Sequence, residues 1–169
     1  VTTWTTTPAR PDTPDAVTLL GEYMEEMVRR YHRRPAGPGE VEAALAELPS
    51  DDLAQPTGIL LLAHHDGRLA GCAGLRFRPD WAELTRVYVR TPWRGTGGGA
   101  VLLAAVEEQA RAAGADRIRL DTRADLVEAR ALYARHGYVE IPAFNDGQYA
   151  EHWFEKTLPT RVDDARPAR

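Results

Sequence analysis

The segment best suited to chemistry is Arg94-Gly-Thr-Gly-Gly-Gly99, which follows the strand-like run ELTRVYV and the tetrapeptide RTPW and leads into AVLLAAVEEQA. Successive glycines let the backbone approach a ligand closely, and amides at a helix N-terminus point at whatever sits there. Together with the partial positive charge of the helix end and the Arg94 guanidinium, they predict a cradle for a pyrophosphate. The Walker pattern needs Lys followed by Ser or Thr after the last glycine, where this chain has Ala100 and Val101. The dinucleotide fingerprint needs an early parallel βαβ unit and an acid about 20 residues on; here an antiparallel meander comes before the loop. A nucleotide-binding protein remains as an alternative, disfavoured by the missing lysine.

Other reactive side chains give weaker signals. Cys72, the single cysteine, lies in the apolar run GCAGL. It excludes an internal disulfide, fits a reducing compartment, and has no neighbour that would stabilise a thiolate, so a packing role is expected. His64 and His65 are adjacent on a strand and face opposite ways, while His32, His136 and His152 show no ligand spacing, so no metal is expected.

Positioning the loop requires a framework, and the sequence predicts one in the order strand, two helices, antiparallel meander, helix, strand, helix and two strands. Thr13, Pro14 and Asp15 make a capped helix start, and the helix runs to about Arg33. Its last turns carry Arg29, Arg30, Arg33 and Arg34, which complement the negative helix end and read first as a solvated face. RPAGPG breaks that helix, EVEAALAEL gives a short second one, and SDDLAQP is a loop. Two apolar runs around Asp66-Gly67 form a hairpin, and WAELTRVYVR alternates as the next strand. Leu102, Leu103, Val106, Ala110 and Ala113 share one helical stripe over residues 99–113, with Gly114 as the stop. RIRLDT is a short strand. Asp125 and Glu128 resemble a capping box that opens LVEARALYARH, closed by Gly137. YVEIP and YAEHWFEKTL are the last strands.

Arg94-x-x-Gly97-x-Gly99 after a VYV strand resembles the coenzyme A pyrophosphate loop of the GNAT superfamily of N-acetyltransferases. LDT at 120–122, Ala129, ALY at 131–133, HGY at 136–138 and WFEKTL at 153–158 follow in that family's order, so the resemblance covers residues 57–158 closely. It implies an α/β (α+β) fold with one mixed, mostly antiparallel sheet, splayed at a cofactor cleft between its fourth and fifth strands and flanked by about four helices. It also implies a single N-acetyltransferase domain over residues 1–158. The polar tail 159–169 has no apolar period and reads as disordered.

The implied cofactor is acetyl-CoA, with coenzyme A as product. Val87, Tyr88 and Val89 would pair with its pantetheine arm through their backbone. The amides of Gly95, Thr96, Gly97, Gly98, Gly99 and Ala100 would hold the pyrophosphate, with Arg94 at its edge. Tyr133 resembles the tyrosine beside the thioester sulfur, and Glu83, eleven positions ahead of Arg94, stands where some members place a general base. Physical chemistry supports these roles. An alkyl ammonium with a pKa of about 10.4 must lose a proton before it attacks, a departing thiolate gains from a phenol donor, and a backbone N–H near Val87 suits the developing oxyanion. Transfer by direct attack of a primary amine on the thioester needs no covalent enzyme intermediate. Two departures stand out: Leu126 occupies a position where many members have Asn, and Gly98 replaces the usual apolar residue, which implies a looser loop.

In this family the acceptor site comes from the N-terminal helices and the loop between the last two strands, which here supply Tyr23, Glu26, Tyr31, Trp81, Phe144, Asn145, Asp146 and Tyr149. Acids with aromatics suit a small-molecule amine. A non-catalytic acyl-CoA sensor is the rival reading; it would keep the loop but would need neither Glu83 nor Tyr133. Net charge of −4 and a pI of about 5.7 argue against nucleic acid or an anionic membrane as partner. No apolar run approaches the roughly 18 residues of a membrane span, and the Thr-rich start lacks the features of a signal peptide. A cytoplasmic monomer or homodimer is expected, and 43% hydrophobic residues over 169 positions suffice for one core.

Overall fold

A computed structural model describes residues 3–159. The strand-like runs become one seven-stranded sheet in the order β1-β2-β3-β4-β5-β7-β6. Its strands are β1 (Trp4–Ala9), β2 (Gly58–His65), β3 (Arg68–Phe77), β4 (Ala82–Val89), β5 (Arg117–Thr122), β6 (Val139–Ile141) and β7 (His152–Thr157). All neighbours run antiparallel except β4 and β5, which are parallel. Four helices flank the sheet: α1 (Pro14–His32), α2 (Glu40–Glu47), α3 (Gly98–Ala112) and α4 (Val127–Arg135).

Both faces of the central strands are covered, which explains why β2 reads as a nearly unbroken apolar run. Ile59, Leu61 and Ala63 face Leu102, Leu103 and Val106 of α3 and Tyr133 of α4. Leu60 and Leu62 alternate to the other face, against Ala16, Leu19 and Leu20 of α1. The β2–β3 hairpin turns on Asp66 and Gly67, both at positive φ (49° and 78°) as a two-residue primed turn requires. Cys72 is buried, its thiol donates to the Arg86 carbonyl, and burial pushes its pKa up to about 12. That setting is inert.

Two capping expectations are corrected. Thr13 occupies the N-cap position of α1, but its hydroxyl turns back to the Arg10 carbonyl at 2.8 Å instead of capping the helix. The Asp125–Glu128 capping box does not form: α4 starts behind Leu126, which makes no side-chain cap. Guanidinium groups take both carboxylates instead. Asp125 accepts two bonds of 2.9 Å from Arg123, and Glu128 accepts one of 3.1 Å from Arg30. Charge-assisted bonds of this kind outweigh a cap to a neutral amide. Of the tail read as disordered, residues 160–169 lie outside the described residues. Among the described residues no helix is long and apolar enough to cross a membrane.

Candidate active site

β4 and β5 pair only through Ala82–Ile118 and Glu83–Arg119. Beyond Glu83 they diverge, and the gap opens into a cavity of about 1560 Å³ between the β4 edge, α1, α2, the glycine loop and α4. A bulge marks the point of divergence. Between its pairings with Gly74 and Cys72 of β3, β4 has one residue too many, and Arg86 takes φ 56° there. As a result Leu84 and Val87 both serve the α3 face, whereas Tyr88 packs on the α1 side. Simple alternation would have put Leu84, Arg86 and Tyr88 on a single face.

The end of the cavity nearer α3 is built from backbone. Gly97 sits at φ 96° as the N-cap of α3, and Gly95, Gly97, Gly98, Gly99 and Ala100 line the opening with the first-turn amides of that helix. The loop is not loose, contrary to the expectation from Gly98. A Cβ on Gly98 would stand 2.6 Å from the Trp4 ring, so that indole occupies the space an apolar side chain would fill. Trp4 Nε1 also donates to the Thr96 carbonyl at 3.2 Å, and Thr96 itself does not line the cavity. Arg94 donates to the Val89 carbonyl at 2.7 Å, lies over the Tyr88 ring and pairs with Glu26 at 2.9 Å.

Tyr133 closes the middle of the cleft. It is 6% exposed, packed near Tyr138 and Phe154, and burial pushes its phenol well above the ordinary value, so it remains a proton donor throughout the neutral range.

The opposite end is built from side chains. The Glu83 carboxylate accepts from Arg76 at 3.3 Å and Arg78 at 3.0 Å. Asp121, on β5, faces the same cavity and receives one bond, 2.8 Å from Asn145 Nδ2. Trp153 Nε1, donating to Asn145 Oδ1 at 2.9 Å, fixes which way that amide points. Although Asp121 is exposed overall, partial desolvation on its cavity side raises its pKa; the Asn145 bond works against this and the charge of Glu83 adds to it. Tyr149 donates to Glu47 at 3.3 Å and meets the Tyr31 ring edge-on, which brings α1, α2 and the β6–β7 loop together over this end.

Comparisons with known proteins place a chain of this fold in one family. The acetyltransferase (GNAT) family model matches residues 21–138. The chain belongs to the GNAT family. It is 33% identical to aminoglycoside N(6′)-acetyltransferase type 1 of Stenotrophomonas maltophilia over 60% of this chain and 72% of that protein. It is also 33% identical to aminoalkylphosphonate N-acetyltransferase of Salmonella typhimurium, over 52% of this chain and 60% of that one. The fold of PaiA N-acetyltransferase from Thermoplasma acidophilum, solved in complex with coenzyme A, superposes with a TM-score of 0.70 at 20% identity, covering 90% of this chain and 99% of that chain. The protein is an acetyltransferase, and acetyl-CoA is the cofactor that GNAT enzymes use.

The GNAT cavity gathers most of the residues singled out in the sequence. Tyr23, Tyr31, Glu83, Asn145, Asp146 and Tyr149 line it at the carboxylate end, while Glu26 lies at the cradle end beside Arg94. Trp81 and Phe144 do not line it. Their rings meet 5.5 Å apart, and the Arg119 guanidinium lies over both. Sequence reasoning missed Asp121, Arg86 and Trp4. The LDT motif contains Asp121, but in the sequence it serves only as a family marker. A charge at position 86, where alternation calls for the same face as Leu84, was the available signal for the bulge.

Proposed function

We propose that this acetyltransferase acetylates the primary amine of a small molecule by direct transfer. The carrying observation is the carboxylate pair Glu83 and Asp121 in the splayed cleft, one held by guanidiniums and the other free of them. The residues also fit the cofactor: the β4 edge beyond Glu83 has no strand partner, and the amide cradle has the donors a pyrophosphate needs. When bound, acetyl-CoA supplies the acetyl group as an activated thioester.

The chain's own residues do the rest. Asp121 has no guanidinium on it, so it takes the proton that the ammonium must lose before it can attack. Glu83, with Arg76 and Arg78 on its carboxylate, contributes negative charge toward the ammonium and passes protons through water. A backbone N–H near Val87, at the bulge, stabilises the oxygen that gains charge. Tyr133 donates its phenol proton to the leaving sulfur. The amine gains the acetyl carbon as the carbon–sulfur bond breaks, and the ammonium gives up two protons: the first goes to Asp121 before attack, and the second leaves through water at Glu83 as the amide forms, balancing the one that Tyr133 gives to sulfur and recovers from solvent.

The direct test is amine-dependent thiol release with acetyl-CoA, combined with calorimetric titration of the cofactor. Glu83→Gln is expected to lower kcat at neutral pH while leaving acetyl-CoA affinity nearly unchanged. Loss of cofactor binding in that variant would make Glu83 structural.

A further inference from the structure

Among the described residues three charged side chains are buried, and two of them meet an opposite charge. Glu107 pairs with Lys156, and Arg123 with Asp125. Arg86 does not. It is 8% exposed, yet its guanidinium contacts neutral acceptors only: Ser50 Oγ at 3.2 Å, Thr85 Oγ1 at 3.0 Å and the Leu48 carbonyl at 3.0 Å. The Tyr23 ring lies 5.7 Å from its central carbon. A guanidinium carries five N–H donors, so one on each terminal nitrogen is left over. Those are the nitrogens with which arginine grips a planar oxyanion. Arg86 lines the cavity, and the bulge that aims it there holds a non-glycine residue at φ 56°. A buried cation without a counter-charge is costly unless something supplies one.

Asp121 has the complementary deficit. Its one hydrogen bond among the described residues comes from a neutral amide, and no cation of those residues lies within ion-pair distance of it. Arg76 and Arg86 act on it only from a distance. The other charges at this end of the cleft satisfy one another, Arg76 with Asp52 and Glu83, and Arg78 with Glu83. Glu47 and Asp146 stand at the solvent-exposed rim. One cavity therefore contains a buried positive charge and a carboxylate that are not in contact with each other.

We propose that the acceptor is a zwitterion, a small amino acid-like compound whose carboxylate or phosphonate seats on Arg86 while its ammonium faces Asp121. This rests on the reading of the cleft as an amine acetylation site and narrows its substrate class. The anion supplies the charge that Arg86 lacks, and it turns the amine toward the acetyl position. An amine without the acid group leaves the guanidinium buried and unpaired, which is how polar sites reject analogues strongly.

The experiment measures thiol release from acetyl-CoA by the full chain with glycine, L-alanine, β-alanine, γ-aminobutyrate and aminoethylphosphonate, each against the amine that lacks its acid group. At least one acid-bearing amine should exceed its partner by about 100-fold or more in kcat/KM. The carboxylate and phosphonate arms distinguish the two anions. Arg86→Met should bring that preference to within about tenfold while acetyl-CoA affinity, read by titration, stays as it was; Arg86→Lys should retain part of it. If Arg86→Met does not fold, the wild-type substrate pairs decide alone. Equal or better turnover of the acid-free amines, or of polyamines and amino sugars drawn by Glu47 and Asp146, overturns the proposal and leaves Arg86 as a tie to the segment around Leu48 and Ser50. Acetyl-CoA binding with no transfer to any amine overturns the amine acetylation reading itself.

Discussion

At the cradle end of the cleft the groups that face the opening are main-chain amides, held by glycines and by one indole. At the acceptor end they are carboxylates and guanidiniums drawn from segments far apart in the chain. The first arrangement suits a ligand part that never varies, because amides at a helix N-terminus offer a fixed dipole with no rotamers to choose. The second can be retuned one side chain at a time. The contrast predicts that substitutions at one end should change cofactor affinity and at the other acceptor turnover.

The largest expected effect is at the acceptor end. Asp121→Asn should lower kcat/KM for the amine by about 10²- to 10⁴-fold with acetyl-CoA affinity preserved. The proposed mechanism uses the ionised carboxylate, so activity in the wild type should fall as pH drops through its pKa. Partial desolvation in the cleft holds that pKa above the ordinary 3.8, so the acid limb should lie above that value, and the variant should lose the limb attributable to Asp121. Tyr133→Phe comes next, with kcat reduced by roughly 10- to 1000-fold at saturating cofactor; an unchanged rate would remove Tyr133 from the chemistry. At the cradle end, Gly98→Ala forces a methyl against Trp4 and should weaken acetyl-CoA by roughly 5- to 100-fold, equivalent to about 1–3 kcal/mol of overpacking, with kcat little affected. Smallest is Glu26→Gln. Its carboxylate occupies Arg94 across an ion pair whose arginine side chain is 42% exposed, so freeing Arg94 should tighten acetyl-CoA by up to about fivefold. A change in amine KM without a change in cofactor Kd in either cradle variant would break the division between the two ends.

The same contrast explains what the sequence made legible. The cradle is local: strand, glycines and helix are contiguous, so their spacing carries the geometry. Most strands and helices were readable for the same reason, each from its own period, down to the Asp66-Gly67 turn, whereas the leading strand, β1 (Trp4–Ala9), had no apolar period to place it. The acceptor end is not local. Asp121 lines the cavity only because β5 diverges from β4, beside a bulge whose sole trace in the sequence is a charge at an inward position. Arg30 and Arg123 took the carboxylates of Asp125 and Glu128 from a capping box that short-range spacing favoured, and Arg30 lies on a helix near the other end of the chain. Gly98 looked like slack because its partner, Trp4, lies far away in sequence.

Trp4 also joins two parts of the molecule that would otherwise behave independently. β1 is an edge strand whose one strand partner is β2, the kind of element that frays first. Its indole is wedged against the first turn of the cradle, so each opening of the strand withdraws the support of the loop. Thermodynamic linkage runs both ways: whatever locks the loop must also hold the strand. Amide hydrogen exchange in β1 therefore becomes a gauge of cradle occupancy, read at the opposite edge of the sheet from the acceptor loop.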